Sequence, residues 1–232
     1  MPEALELINS LMTHIAPSSF DFLKKLKRNN NREWFNAHKD TYQRELLSVE
    51  QLVDVIIDKL RKFDRLEVPS GKKAMMRIYR DVRFSSDKSP YKTHWSGGFQ
   101  REGKQLRGGY YFQFAPGASF VAGGFWGPVP GDLKLIRDEF AFDDKPIRKI
   151  LSSQKIVKDF GTLRGEQLKT VPRGYEKDHP AADLLRYKQF ILQRNYTDKE
   201  VFSKDFADKA VQTMRCFKPF FDYMSEVLVV PG

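Results

Sequence analysis

The sequence has 232 residues, a formal net charge of +10 and a pI near 9.5. Hydrophobic residues make up 41% of it and 19 residues are phenylalanine, which excludes a disordered chain because disordered chains are poor in aromatic residues. No apolar run approaches the roughly 20 residues that a membrane-spanning helix needs, and the start lacks the basic residues of a secretory signal. We therefore expect a cytoplasmic protein that does not span a membrane.

Metal chemistry is disfavoured by the residues available. The single cysteine, Cys216, excludes an internal disulfide and a cysteine-based zinc site. Oxygen and nitrogen ligands for a divalent cation occur together at Asp81, Asp87 and His94, but the arginines and lysine beside them would repel that cation. We predict neither a metal nor another cofactor.

The N-terminal part has the spacing of helices. Residues 4–12 predict a short helix, and residues 18–66 predict a pair of helices. The first of the pair begins at Ser18, with an acidic residue three positions later as in a capping box. The second begins at Asn30, again with an acidic residue three positions later, and continues as one long helix.

The pattern changes after a Pro-Ser-Gly turn at 69–71, and residues 72–126 predict an antiparallel meander. Its turns carry glycine, proline and polar residues. Glycine pairs inside the predicted strands indicate bulges, bends or close backbone approach. The predicted strands are 74–85, 93–99, 106–114 and 118–125.

The remainder, residues 131–230, is predicted to be rich in helices. These predictions are helices that begin after Asp132 and Asp144, a strand or hairpin starting at 155–160, a short helix over 181–187, a strand over 188–195 and a final helix over 198–228 that is kinked or restarted at Pro219. The whole chain, 1–232, is predicted to be a single α+β domain. Its antiparallel sheet has about four or more strands, flanked by an N-terminal helical hairpin and C-terminal helices.

Residues 77–94 stand out as a candidate functional segment. The first half alternates like a strand, and this alternation places Arg80 on the apolar face. A buried guanidinium without a partner is very costly, so Arg80 requires either a carboxylate or a cleft. A turn follows, in which Pro90 fixes its own backbone and restricts the residue before it.

Cations exceed carboxylates in this segment, so it predicts a site for an anionic small molecule or a phosphate group. Asp81 and Asp87 would orient the cations, or would instead neutralise Arg80 and Arg83 in a purely structural lattice of ion pairs. The sequence leaves both interpretations open. The predicted ligand-binding residues are Arg77, Arg80, Arg83, Asp87, Lys88, Tyr91 and Lys92.

An enzyme is the second hypothesis. It would act on a phosphorylated or carboxylated small molecule, with His94 or His179 as general acid–base and Asp81 assisting. Each histidine also has a structural interpretation. His94 is next to a tryptophan and can be packed in the core, and His179 precedes a proline in a loop that enters a helix.

A nucleic-acid-binding protein is the third hypothesis. The net charge favours negatively charged partners, and aromatic residues in one predicted strand can stack bases if that face is exposed. The same residues are common in strand cores. They are Tyr110, Tyr111, Phe112 and Phe114.

Four separated motifs resemble a known family. They are the 29–35 run Asn-Asn-Asn-Arg-Glu-Trp-Phe, the segment from Arg77 to Thr93, the 124–128 run Gly-Phe-Trp-Gly-Pro and the 175–180 run Tyr-Glu-Lys-Asp-His-Pro. In this order they resemble the bacterial and fungal proteins grouped as domain of unknown function 2461, over nearly the whole chain. The resemblance implies a shared fold. It assigns no catalytic residue, because none is established for that family.

Overall fold

The computed structural model of the protein describes residues 13–229. The fold is α+β, as predicted, and contains a four-stranded antiparallel sheet in the order β1-β2-β3-β4. Consecutive strands are therefore neighbours in the sheet. The strands are β1 (Trp95–Gln100), β2 (Gly109–Phe114), β3 (Ser119–Phe125) and β4 (Phe190–Tyr196).

Helices precede the sheet, separate β3 from β4 and follow β4. Those before the sheet are α1 (Pro17–Arg28), α2 (Arg32–Ala37), α3 (Lys39–Leu60) and α4 (Gly71–Ala74). Those between β3 and β4 are α5 (Pro130–Phe142), α6 (Lys145–Leu151), α7 (Gln154–Phe160) and α8 (Ala182–Leu185). Those after β4 are α9 (Asp198–Val201), α10 (Phe206–Cys216) and α11 (Lys218–Leu228). Within residues 13–229, none of these helices has both the length and the apolar composition needed to cross a bilayer.

The chain divides into two compact units, and each is discontinuous in sequence. Among the described residues, the first unit comprises 13–99, 111–121 and 195–212, and the second comprises 100–110, 122–194 and 213–229. The predicted single domain over 1–232 stays a prediction.

Most of the predicted strands are present. β1, β2 and β3 correspond to three strands of the predicted meander, and β4 corresponds to the strand predicted over 188–195. The prediction for 155–160 is wrong, because these residues belong to helix α7. Its buried residues, Ile156 and Phe160, are four positions apart, a spacing that a run of seven residues is too short to distinguish from a strand pattern.

The predicted helix starts need correction. Helix α1 begins at Pro17, one residue earlier than predicted, and has no side-chain cap. Proline is favoured at the first helical position because its missing N–H would have no partner there. Helix α2 is capped by Asn31, not Asn30: the Asn31 side chain accepts a hydrogen bond from the backbone N–H of Trp34. The predicted long helix is also interrupted, since α2 ends before His38 and α3 starts after it.

The later helices follow the prediction more loosely. Helix α5 begins two residues before Asp132, and α6 begins directly after Asp144, whose side chain caps no backbone N–H. The segment 198–228 forms three helices rather than one. Pro219 lies in the first turn of α11, so the predicted restart at this proline is confirmed. The helix predicted over 4–12 lies outside the described residues.

The core of the first unit is built on the long helix α3, which contacts α1 and α4. The backbone N–H of Gly71, at the start of α4, donates a hydrogen bond of 2.6 Å to Asp54 Oδ1 of α3. A Cβ at Gly71 would lie only 2.1 Å from the backbone oxygen of Glu50, so glycine is required for this approach. This contact fixes the point from which the candidate segment leaves the helices. Fully buried side chains of this core include Phe20, Leu52, Val53, Leu60, Phe112, Phe114, Val121 and Phe206.

The second unit has its own core, to which α11 contributes most of the aromatic side chains. Phe221 contacts Tyr110 of β2 edge-to-face, with 5.1 Å between ring centroids, and Phe220 contacts Phe125 of β3 in the same manner. Helix α11 also contacts α5 and α6. Fully buried side chains of this core include Ile136, Phe140, Ile147, Phe190, Leu192, Met214 and Phe217.

Candidate functional site

The predicted strand over 74–85 is not a regular strand. Its first residue ends helix α4, and the rest is paired only through isolated antiparallel bridges, Met75 with Gly97 of β1 and Tyr79 with Tyr91 of the segment before β1. The predicted alternation fails too: Ile78 is buried, but Phe84, expected on the same face, is 98% exposed. The physical reason is local, since the polar side chains after residue 80 bond to nearby groups and displace the ladder.

The pairing between a first segment, residues 75–80, and a second segment, residues 90–97, contains a bulge. Met76 N donates to Ser96 O, and Lys92 N donates to Ile78 O, each at 2.8 Å. Between these two bonds the first segment advances two residues and the second advances four. The two additional residues of the second segment, within 93–95, therefore lie opposite Arg77 and turn out of the ladder.

Both ends of the second segment are fixed to the N-terminal helices. The Asn30 side chain donates to Tyr91 O at 2.9 Å and accepts from Tyr91 N at 3.1 Å. The Tyr91 ring stacks on Phe35 of α2 with centroids 4.0 Å apart. At the other end, the indole N–H of the buried Trp95 donates to Ser19 Oγ at 2.8 Å. The bulge thus lies between two rigid attachments.

Arg80 has an internal partner. Its Nη1 lies 2.5 Å from Asp87 Oδ2 and also donates to the Ser89 carbonyl at 3.2 Å. Its side chain is 26% exposed, so the predicted partial burial with a compensating carboxylate is what the structure contains. Hydrogen bonds from Ser89 and from Arg80 lower the pKa of Asp87 to about 2.

Arg83 is paired as well. Its Nε and Nη2 donate to Oδ1 and Oδ2 of Asp81 at 3.0 and 2.6 Å, a bidentate pair between exposed side chains two residues apart. This hydrogen bonding lowers the pKa of Asp81 and so weakens it as a general base. Two of the predicted cations are thus neutralised within the chain, as in the structural lattice that the sequence left open.

Lys88 closes the same loop. Its Nζ donates to Val82 O at 3.0 Å, and within residues 13–229 it forms no ion pair. Together with the two arginine–aspartate pairs, this bond gives residues 81–89 a defined shape without a strand partner.

Three cationic or titratable side chains remain at the bulge, and we call Arg77, Lys92 and His94 the basic cluster. No carboxylate of the described residues forms an ion pair with Arg77 or Lys92. Burial, and then the charge of Arg77, lowers the pKa of Lys92. Burial, and then the charge of Lys92, lowers the pKa of His94. Positive charge is therefore concentrated here, and within residues 13–229 the electrostatic counterpart of Arg77, Asp81, is already paired with Arg83.

Tyr91, another predicted ligand residue, is 3% exposed, and burial raises the pKa of its phenol. Its ring and backbone are occupied by Phe35 and Asn30, so the described geometry gives it a supporting role. Sequence reasoning missed Asn30 as a positioning residue. A helix-capping motif explained this asparagine equally well. Its actual partner is 61 positions later in the chain, so no pattern in the residues around Asn30 predicts the bond.

His179 belongs to the second unit, whereas Asp81 and His94 belong to the first. Its Nδ1 accepts a hydrogen bond of 3.0 Å from Ala181 N, just before helix α8. This is the loop-entering-helix arrangement that was the structural interpretation of this histidine. Its catalytic assignment stays a prediction.

Three of the four aromatic side chains predicted to stack bases are buried. Tyr110, Phe112 and Phe114 are each at most 2% exposed, so their faces pack inside the protein. Tyr111 is half-buried and contacts Phe120. The nucleic-acid hypothesis stays a prediction, and of these four aromatic residues only Tyr111 is not buried.

The family model for "Conserved hypothetical protein (DUF2461)" matches residues 18–223, which include the two attachments, the bulge and the basic cluster. The chain belongs to this family. The predicted resemblance is thereby confirmed. Comparison with curated proteins gave no match, and comparison with solved structures gave none either.

The second unit of this DUF2461 protein contains cavities that the sequence did not predict. One of about 620 Å³ lies against α6, α7 and α8, and its walls are mainly apolar. The Arg148–Asp183 ion pair, at 2.7 Å, contributes to its lining. Two smaller cavities, of about 340 and 220 Å³, lie beside α5. In the described part of the chain, no group of three or more histidine, cysteine or acidic side chains is arranged to hold a metal ion.

Proposed function

We propose that this DUF2461 protein binds a small anionic ligand, bearing a phosphate or a carboxylate, at the basic cluster of Arg77, Lys92 and His94. The observation that supports this is the lowered pKa of Lys92, caused by burial and by Arg77. The favourable electrostatic free energy of binding an external anion is largest for a cation that is partly buried and lies beside another cation. Arg80 and Arg83 are not part of the proposed site, because their charges already have internal partners.

The bulge gives the cluster its geometry. Two additional residues turn out of the ladder opposite Arg77, while Asn30 and Ser19 hold the segment on either side. A guanidinium, an ammonium and an imidazole N–H then offer donors of three shapes to one oxyanion. Rigid attachment matters because less side-chain entropy is lost on binding.

An enzyme using the same cluster is the second candidate. The lowered pKa of His94 favours its neutral imidazole, which can accept a proton from a ligand held by Arg77 and Lys92. The lowered pKa of Asp81 makes it a weaker general base to assist His94. Turnover that is lost in His94→Gln while ligand binding persists would distinguish an enzyme from a binding protein.

The test is a titration followed residue by residue. Inorganic phosphate and malonate are added to 15N-labelled protein at constant ionic strength, and the signals of residues 92–95 and of the His94 ring are monitored. We expect saturable shifts in the wild type and at least ~10-fold weaker binding in Lys92→Met, since a charge-assisted contact contributes about 1.5–3 kcal/mol.

Lys88→Met is the matched control, because Lys88 lies near Lys92 in the sequence and its ammonium bonds only to a backbone carbonyl. It should retain wild-type binding. Equal affinities in Lys92→Met and the wild type would refute the proposal. So would the absence of shifts with both anions.

A further inference from the structure

A second, separate cavity carries its own uncompensated charge. The cavity of about 220 Å³ in the second unit is formed by helix α5 and the loop 172–175. Its lining includes three cationic side chains and one carboxylate, those of Lys134, Arg137, Arg173 and Asp138. The balance of charge in its wall is therefore positive.

Arg137 is the most constrained of these cations. Its Nη2 donates to the Tyr187 carbonyl at 3.1 Å, while its Nε is buried without a hydrogen-bond partner. Burial lowers the pKa of its guanidinium, the direction that follows when no anion compensates the lost hydration. Within residues 13–229, Arg137 forms no ion pair.

The carboxylate in the wall is already occupied. Lys134 Nζ lies 2.5 Å from Asp138 Oδ2, and the Tyr175 hydroxyl donates to Asp138 Oδ1 at 2.7 Å. These two bonds lower the pKa of Asp138. Since both oxygens are engaged, Asp138 does not neutralise Arg137.

Arg173 approaches the same cavity from the loop. It is exposed and forms no ion pair in the described part of the chain. The next residue, Gly174, has φ of 95°, a backbone conformation that favours glycine. This turn places Arg173 and Tyr175 together in the lining, along with residues of α5.

We propose that this cavity binds the phosphate group of a small molecule, either free phosphate or a phosphate monoester. Two guanidinium groups without internal acids match the oxygens of a phosphate, which can accept bidentate bonds. The cavity is too small for a large cofactor but accommodates a phosphate and a few further atoms. Tyr175 and Lys134 engage both oxygens of the one carboxylate, which forms no ion pair with either arginine among the described residues.

This inference does not depend on the basic cluster, because it concerns other residues in another unit. Binding of inorganic phosphate and of phenyl phosphate is measured by isothermal titration calorimetry at constant ionic strength, with benzoate as the carboxylate control. Arg173→Gln is the main variant, since this exposed side chain has no structural bond to lose. We expect phosphate binding at this cavity to weaken at least ~10-fold in Arg173→Gln.

Arg164→Gln is the matched control. Arg164 is an exposed arginine of the same unit that does not line the cavity, so its variant should bind phosphate as the wild type does. Lys92→Met separates the two proposals, because it should leave this second binding event intact. Tighter binding of phenyl phosphate than of phosphate would identify an ester as the ligand, and the reverse would identify free phosphate.

Three outcomes would overturn the inference: equal phosphate affinity in Arg173→Gln and Arg164→Gln, loss of all phosphate binding in Lys92→Met alone, or benzoate binding as tightly as phenyl phosphate. Arg137→Gln gives a further check on the folded protein. Its thermal unfolding without phosphate measures what the bond to Tyr187 contributes to stability. Its phosphate affinity is measured separately on the folded variant and should be lower than that of the wild type.

Discussion

Asn30 and Tyr91 form a reciprocal pair, in which the amide of one side chain both donates to and accepts from the backbone of the other residue, at 2.9 and 3.1 Å. The side chain thereby takes the place of a neighbouring strand at the point where the ladder ends. It connects the turn before helix α2 to the segment that carries the basic cluster. The position of Lys92, the next residue, depends directly on this pair.

Replacing Asn30 should therefore destabilise the protein. Asn30→Ala removes two partly buried hydrogen bonds, and we expect the free energy of unfolding to fall by about 1–3 kcal/mol. Urea denaturation followed by tryptophan fluorescence measures this change. Asn36→Ala is the control, because Asn36 is exposed within α2 and should change stability by less than about 0.5 kcal/mol. Similar losses in both variants would contradict the role given to Asn30.

Asp87 makes a pH-dependent contribution to stability. Its pKa is about 2 in the folded protein, against an ordinary value of 3.8, because Ser89 and Arg80 bond to its ionised form. A depressed folded pKa stabilises the protein above the unfolded pKa, and this contribution is lost as the pH falls from about 4 to about 2. Asp87→Asn should flatten the stability profile over that interval.

The check is the urea midpoint at a series of pH values between 2 and 6. Ser89→Ala should flatten the profile partly, since Ser89 is the largest cause of the shift. Asp40→Asn controls for the removal of one exposed carboxylate. A profile in Asp87→Asn that parallels the wild type at every pH would contradict the assignment.

His94 should also make a pH-dependent contribution to stability, but at a higher pH than Asp87 does. Its folded pKa lies below the ordinary 6.5, so its contribution to stability is fully present above that pH and decreases as the pH falls. Lys92→Met should raise the pKa of His94 by removing the second cause, while burial, the first, persists. Bound phosphate should raise it further, because a nearby anion favours imidazolium.

An NMR titration of the His94 ring, with and without phosphate and in both proteins, measures these shifts. A His94 pKa that is the same with and without phosphate would show that the anion does not reach this side chain.

Arg101 is a buried cation of the second unit, and it forms an ion pair with the partly exposed Asp222. The Arg101 side chain is 1% exposed, and its Nη2 lies 2.6 Å from Asp222 Oδ1. Asp222→Ala would leave a buried guanidinium without its carboxylate, and we expect a loss of about 3 kcal/mol in unfolding free energy. Arg101→Met should cost less, because an apolar side chain of similar volume can pack against Phe221, over whose ring the guanidinium now lies.

Denaturant unfolding of both variants and of the double variant tests this order. The double variant should be more stable than Asp222→Ala alone, since it removes the buried cation that has lost the Asp222 carboxylate. A double variant less stable than both single variants would contradict this account.

The sequence was sufficient for much of the fold because periodicity is a local property. The alternation in 93–99, 106–114, 118–125 and 188–195 corresponds to four strands, and Pro219 restarts a helix as its missing N–H requires. Local patterns failed where two structures fit them equally well. Seven residues at 154–160 fit strand or helix, and either of two asparagines could cap α2.

The residues of the candidate sites could likewise be predicted only in part from local sequence patterns. The sequence by itself determined that cations and acids are concentrated in 77–94, and its alternation predicted that Arg80 needs either a carboxylate or a cleft. Only the tertiary structure decided which charges are neutralised: the arginines at 80 and 83 find acids in their own loop, whereas Lys92 and Arg77 do not. The reason is physical, since the pairing of a charge depends on what lies within a few ångströms of it. For Tyr91 and Arg137, those neighbours are tens of residues away along the chain.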